Sequence, residues 1–243
     1  MRQGGDASNN WVHELLKNGK PISRSPYLEP EDSPFSHGPG IRLYEEILAA
    51  SLLGAMESEA QSLAPAWYRE EKAILVCLPS FQPEWTLSVV GDRKAGYWVL
   101  LVKAQRSLWY STTSWYSTAA ELGIPLPPSV NIYRSELAAD LGGAVCDIWS
   151  RALSQTRYPQ EQCNGCDGII YHFAYGRKGI SEKSGKTWSP EKESVPGKLV
   201  GLSEALGSYA QDSANRDVFL NVIQDHIEWF LAHSRNLNDC ILL

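Results

Sequence analysis

Apolar positions recur along this chain with periods that change from segment to segment, and the changes mark its elements. Between Ile41 and Leu63 the spacing is three or four. Ile41, Tyr44, Leu48, Leu52 and Met56 share a stripe, while Arg42, Glu45, Glu46, Glu57 and Glu59 lie largely elsewhere. That stripe predicts an amphipathic helix, which Pro65 ends. The period then shortens. Ala73–Leu78 (AILVCL) is a continuous apolar run. Trp85–Val90 alternates, with Trp85, Leu87 and Val89 on one face and Thr86 and Ser88 on the other. Tyr97–Lys103 is apolar on both faces. These runs predict three strands, the last two joined by the glycine-containing loop Asp92–Gly96 in an antiparallel meander.

Residues 104–133 lose any period and are rich in aromatics: Trp109, Tyr110, Trp115 and Tyr116, then PLPP at 125–128. So long a loop either covers core or forms a binding surface. Ser135 is a suitable N-cap for a helix reaching about Ser154, with Leu137, Leu141, Val145, Ile148 and Ala152 as its apolar stripe. The Gly142–Gly143 pair inside that helix costs about 1 kcal/mol per residue relative to Ala, and a close approach by another backbone would explain it. Gly168–Tyr175 alternates as a strand, Ile169, Tyr171, Phe173 and Tyr175 against Ile170, His172 and Ala174. The polar stretch GRKGISEKSGK reads as a turn leading to Thr187–Trp188. Two helices close the chain. One spans Pro196–Gln211 with Leu199, Leu202, Leu206 and Tyr209 inward. The other follows an Asn215 cap and carries Phe219, Val222, Ile223 and Phe230.

Helices and strands in this order do not alternate as βαβ units. They predict an α+β fold, a mostly antiparallel sheet with helices packed on one face. The segment 1–40 differs: Pro21, Pro26, Pro30, Pro34 and Pro39 fix the backbone among Gly, Ser and Asn. The expected organisation is a flexible tail over 1–40 and a single domain over 41–243.

Composition narrows the function classes. A net charge of −6 lacks the basic footprint of a nucleic-acid binder. No apolar run approaches the ~20 residues that span a bilayer, and the N-terminus lacks the apolar stretch of a signal peptide. A cytoplasmic protein without membrane contact is expected. Five Cys, an odd number, argue against a secreted disulfide framework. Nine Trp and eleven Tyr are many, and some are expected at a surface or an interface.

Candidate chemistry is sparse. Cys163-Asn164-Gly165-Cys166 reads first as an ordinary turn with two thiols. Half of a zinc site and a redox pair remain open, the former needing Cys77, Cys146 or His172 brought in by the fold. Gly185-Lys186-Thr187 lacks the upstream glycine and the following helix of a phosphate loop. Gly201-Leu202-Ser203-Glu204-Ala205 narrowly misses a nucleophile elbow, and its serine falls in a helix, expected to face solvent. His172, with Asp167 at the start of its strand and Cys166 beside that, is the one enzyme-like grouping, a hydrolase-type Cys/His/Asp site. A sheet histidine is more often structural. His226 reads as a partly buried structural residue. No cofactor is implied.

PEWTLSVVGDRKAGYWVLLVK at 83–103 and CDGIIYHFAYG…GKTWSPEKESVPGKLVGLSEALGSYA at 166–210 resemble stretches of small, mostly uncharacterised bacterial α+β proteins, some of them immunity partners of toxins delivered between cells. The resemblance rests on a strand pair and a strand–loop–helix pattern and carries no catalytic residues. It implies a protein-binding protein, an immunity protein that occludes a toxin's active site. Contacts are expected at Trp109, Tyr110, Trp115 and Tyr116 and at Trp188, because aromatics are enriched in interface cores. The enzyme reading at Cys166, Asp167 and His172 is the alternative.

Overall fold

A computed structural model describes residues 28, 52–53, 55–56, 58–59, 71–107, 129–157, 168–177 and 180–238. Six strands, β1 (Glu71–Pro79), β2 (Trp85–Asp92), β3 (Gly96–Ala104), β4 (Val130–Leu137), β5 (Ile169–Arg177) and β6 (Ile180–Trp188), form one sheet. Its order is β4-β3-β2-β1-β5-β6, and every neighbouring pair is antiparallel. Among the described residues three helices are followed over their length, α1 (Ala139–Leu153), α2 (Val195–Gln211) and α3 (Arg216–Asn238), and residues 52–53, 55–56 and 58–59 are also helical. The α+β class, with these three helices on one face, is therefore the observed one. Among the described residues, no helix is long and apolar enough to cross a membrane.

The central strands are apolar on both faces because both faces are covered. Ala73, Leu75, Leu87, Val89, Val99, Leu101, Tyr171 and Phe173 meet α1 and α2, with Ile223, Ile227 and Phe230 of α3 completing the same core. Ile74, Val76, Leu78, Val90, Leu100 and Val102 point the other way, against the helical residues Leu52 and Met56. Each such aliphatic side chain contributes about 1.5–3 kcal/mol by leaving water. Trp149 of α1 is fully buried. It packs edge-on to Phe173 at 6.0 Å and donates its indole N–H to the Ile74 carbonyl at 3.3 Å, which satisfies its polar end. Leu28 is buried in the helix-side core, and its carbonyl accepts from the Arg157 N–H at 2.9 Å. One residue of the proline-rich segment is thus a core residue; the rest of that segment lies outside the described residues.

Local chemistry sets the element ends. Asp92 Oδ1 accepts from the Lys94 and Ala95 amides, both at 2.7 Å, and closes the β2–β3 turn. Gly96 ends that turn at φ 96°, a conformation that side chains oppose. Ser194 caps α2, accepting from the Gly197 amide at 3.1 Å, with Pro196 in the first turn.

Several expectations are corrected. Val130–Leu137 is a strand, so α1 starts at Ala139 and Ser135 caps nothing. Ser135 is buried instead, accepting from Arg216 Nη2 at 2.8 Å. The polar stretch after Arg177 is mostly strand β6, not a turn. Ser203 does not face solvent: it is fully buried and donates to the Leu199 carbonyl one helical turn back, at 2.6 Å. Gly142 makes room for a ring, not for another backbone, since a Cβ there would lie 2.3 Å from the Tyr97 ring.

Antiparallel pairing gives the sheet two unlike ends. At one, which we term the hairpin end, β2 turns into β3, β5 into β6, and β4 runs into α1. At the other, the loop end, the chain leaves and re-enters through 80–84, 105–129, 158–168 and 189–194.

Candidate functional site

The loop end is held by side chains that satisfy irregular backbone. Ser80 Oγ donates to the Gly168 carbonyl at 2.8 Å and accepts from the Gly168 amide at 3.1 Å. Ser189 reciprocates with Ile169: its amide donates to the Ile169 carbonyl at 2.8 Å and its hydroxyl accepts from the Ile169 amide at 3.0 Å. The ends of the long connection after β3 are stitched together, Gln105 N–H to the Ser129 carbonyl at 3.0 Å and Gln105 Nε2 to Asn131 Oδ1 at 3.2 Å. Glu84, buried between β1 and β2, offers its carbonyl to the Ala104 amide at 2.9 Å and a carboxylate oxygen to Ser107 Oγ at 3.3 Å. Beside these bonds Phe81 stands 62% exposed.

Trp188 ends β6 at this same end. It is half-buried, and its indole lies on Gly168, where a Cβ would come within 2.3 Å of Nε1. Trp109, Tyr110, Trp115 and Tyr116 lie outside the described residues, but the connection that carries them leaves β3 and enters β4 here. The fold therefore anchors both stretches expected to meet a partner at one end of the sheet. Phe81 was missed by the sequence reading; its signal, an aromatic in a Pro- and Gln-containing turn (SFQPE, 80–84), is slight.

Cys163, Cys166 and Asp167 also lie outside the described residues. His172 is half-buried on β5, opposite Val76 and Lys186, on the sheet face away from α1. Cys77 and Cys146 sit on the helix side instead, fully enclosed, and burial pushes both thiols well above their usual range. The fold thus separates His172 from the two cysteines that the sequence offered as its companions. Among the described residues no group of three His, Cys, Asp or Glu is placed to hold a metal ion.

At the hairpin end lies a polar cluster that the sequence reading passed over. Glu71, only 4% exposed, accepts from Tyr97 Oη at 2.6 Å and from Tyr175 Oη at 2.5 Å, one phenol on each carboxylate oxygen. Tyr97 reaches across β2 because Gly91 stands between it and Glu71 in the register. Gly142 of α1 leaves room for its ring, and Arg93 passes over Gly143 to Asp147 Oδ1 at 2.6 Å. Burial, and then the bond to Glu71, raise both phenols above the usual tyrosine range. A carboxylate with both oxygens occupied is a clamp joining β3, β1 and β5.

The comparisons add no relative. No family model, no curated protein and no solved structure matches this chain.

Proposed function

We propose that this domain is a protein-binding protein of the immunity type, acting in the cytosol by covering a toxin's active site with its loop end. The observation that carries the reading is convergence: Trp188, the exposed Phe81 and both ends of the aromatic 105–129 connection meet at one end of the sheet. The mechanism is steric. Aromatic side chains held on a stiff sheet lose little freedom on docking and bury large areas, which is how a few anchors come to dominate an interface. The clamp at the opposite end keeps the sheet stiff while taking no part in contact.

The test begins with a tagged full-length protein, used to capture its partner from native cytosol and to identify by mass spectrometry what is retained in stoichiometric amount at moderate salt. Affinity for that partner is then compared with Phe81→Ala. Phe81 is a cleaner probe than Trp188, whose removal would open the packing over Gly168. The expected loss is about tenfold or more in Kd, with the thermal midpoint unchanged. A chain that captures no protein, or one whose Phe81→Ala variant binds equally well, overturns the loop-end reading.

A further inference from the structure

Among the described residues strand β4 pairs with β3 alone, and its other edge ends the sheet. Which backbone groups lie on that edge follows from the register. Gln105 N–H donates to the Ser129 carbonyl, and from there Lys103 pairs with Asn131, Leu101 with Tyr133, and Val99 with Ser135. Backbone groups alternate in direction along an antiparallel strand. The odd-numbered residues of β4 therefore bond to β3, and Val130, Ile132, Arg134 and Glu136 point theirs away. The Glu136 carbonyl confirms this, since it accepts from Tyr209 Oη of α2 at 2.6 Å. Val130, Ile132 and Arg134 have no such cover: among the described residues their outward groups make no hydrogen bond.

The side chains along this edge suit a visitor. Ile132 is 40% exposed, and Val130 packs partly on the sheet face that meets Leu52 and Met56. Arg134 is held by Glu59 at 2.9 Å on that same face. The open stretch starts at the loop end and runs until α2 closes over Ser135–Leu137. Its five residues span about 17 Å, the length of an ordinary strand.

We infer that the outer edge of β4, from Val130 to Arg134, takes an extended segment of a protein partner as a seventh strand. This rests on the protein-binding reading and names the form of one part of the partner. Main-chain bonds to residues 130, 132 and 134 supply attachment, and an aliphatic side chain beside Ile132 supplies fit. A second copy of this chain suits the edge poorly. A two-fold β4–β4 pair centred on Arg134 opposes like charges, and one centred on Ile132 sets Arg134 against Val130. Setting Arg134 against Glu136 requires outward groups of Glu136, whose carbonyl Tyr209 holds.

The probe is a capped synthetic peptide alternating valine and glutamate, added in excess to the full-length protein while amide hydrogen exchange is followed by NMR. The amides of Ile132 and Arg134 are expected to exchange fast in the free protein and to slow about tenfold or more with peptide. The effect is expected to vanish in Ile132→Lys, and with a peptide N-methylated along its bonding edge. Slow exchange before peptide is added shows the edge already covered and overturns the proposal. So does unchanged exchange with peptide, or a concentration-dependent dimer that Ile132→Lys abolishes, which would make the occupant a second copy. The arms are separable from the loop-end test. Phe81→Ala leaves peptide protection intact if the edge is real, and Ile132→Lys leaves the partner's affinity whole if only the edge is wrong.

Discussion

The two edges of the sheet are finished in opposite ways. β6 carries lysines directed to both faces: Lys186, 8% exposed, turns toward the His172 side, and Lys183 reaches α1. Its pairing with β5 is broken by a register shift between Tyr175 and Arg177. Inward lysines and bulges are the devices by which sheets refuse further strands. β4 has neither over Val130–Arg134 and instead presents a half-exposed isoleucine on a regular ladder. Among the described residues, then, β6 carries devices against a further strand and β4 does not, and the outer edge of β4 begins at the loop end, where the exposed Phe81 is found.

Both edges depend on one frame, the Glu71 clamp, so breaking it should erase the contrast. Glu71→Leu leaves two buried phenols without their acceptor, at about 1–3 kcal/mol each. A loss of about 2–5 kcal/mol in urea unfolding is expected, with amide exchange rising alike at Lys183 and at Tyr133, whose amides bond inward to β5 and β3. Unchanged stability would show that the tyrosines find other acceptors and that the clamp does not hold the frame.

Alkaline pH should loosen the same frame without a mutation. Tyr97 and Tyr175 are raised above their unfolded range, near 10, by burial first and then by the bond to Glu71. A group raised in the folded state contributes stability that is complete below its unfolded pKa and is lost as pH climbs toward the folded one. Stability is therefore expected to hold up to about pH 10 and then to fall by up to about 1.4 kcal/mol per pH unit for each tyrosine. The double variant Tyr97→Phe, Tyr175→Phe should flatten this fall. An equal slope in wild type and variant would assign the alkaline loss to other groups.

Legibility in the sequence followed burial. β1, β2 and β3 were readable because their neighbours bury them, which demands apolar runs, and Asp92–Gly96 marked the turn between two of them. Both edge strands were misread. VNIYRSEL has no fully buried face along most of its length, so Ser135 passed for a cap. ISEKSGKTW is polar enough to pass for a loop. Edge strands need little hydrophobicity, and periodicity therefore says little about them. Glu71 was invisible for another reason. Its partners come from positions 97 and 175, and only the register across β2 and β1 joins them. At the loop end, Trp188 was legible as an aromatic near a turn. That it rests on Gly168 while Phe81 projects was not, because exposure is decided by which backbone passes beneath.

The smallest expected effect separates the two devices that close β6. Lys183 Nζ donates to Ser154 Oγ at 2.6 Å, Ser150 Oγ at 3.1 Å and the Ser150 carbonyl at 3.2 Å, at the C-terminus of α1 where a cation is favoured. Lys183→Met removes those bonds and keeps the stem, so a loss of about 1 kcal/mol is expected in urea unfolding. It should not open the edge. The Ser189 amide donates to the Ile169 carbonyl, which directs the backbone of Lys183 inward to β5 and that of Ser184 and Lys186 outward. The residue positioned to refuse a strand is then Lys186, with the register shift beyond it. In Lys183→Met the valine–glutamate peptide should slow exchange at Ile132 and leave Ser184 untouched. Slowed exchange at Ser184 in this variant would mean that Lys183 guards the edge as well as capping the helix, and the contrast between the edges would then rest on a single side chain.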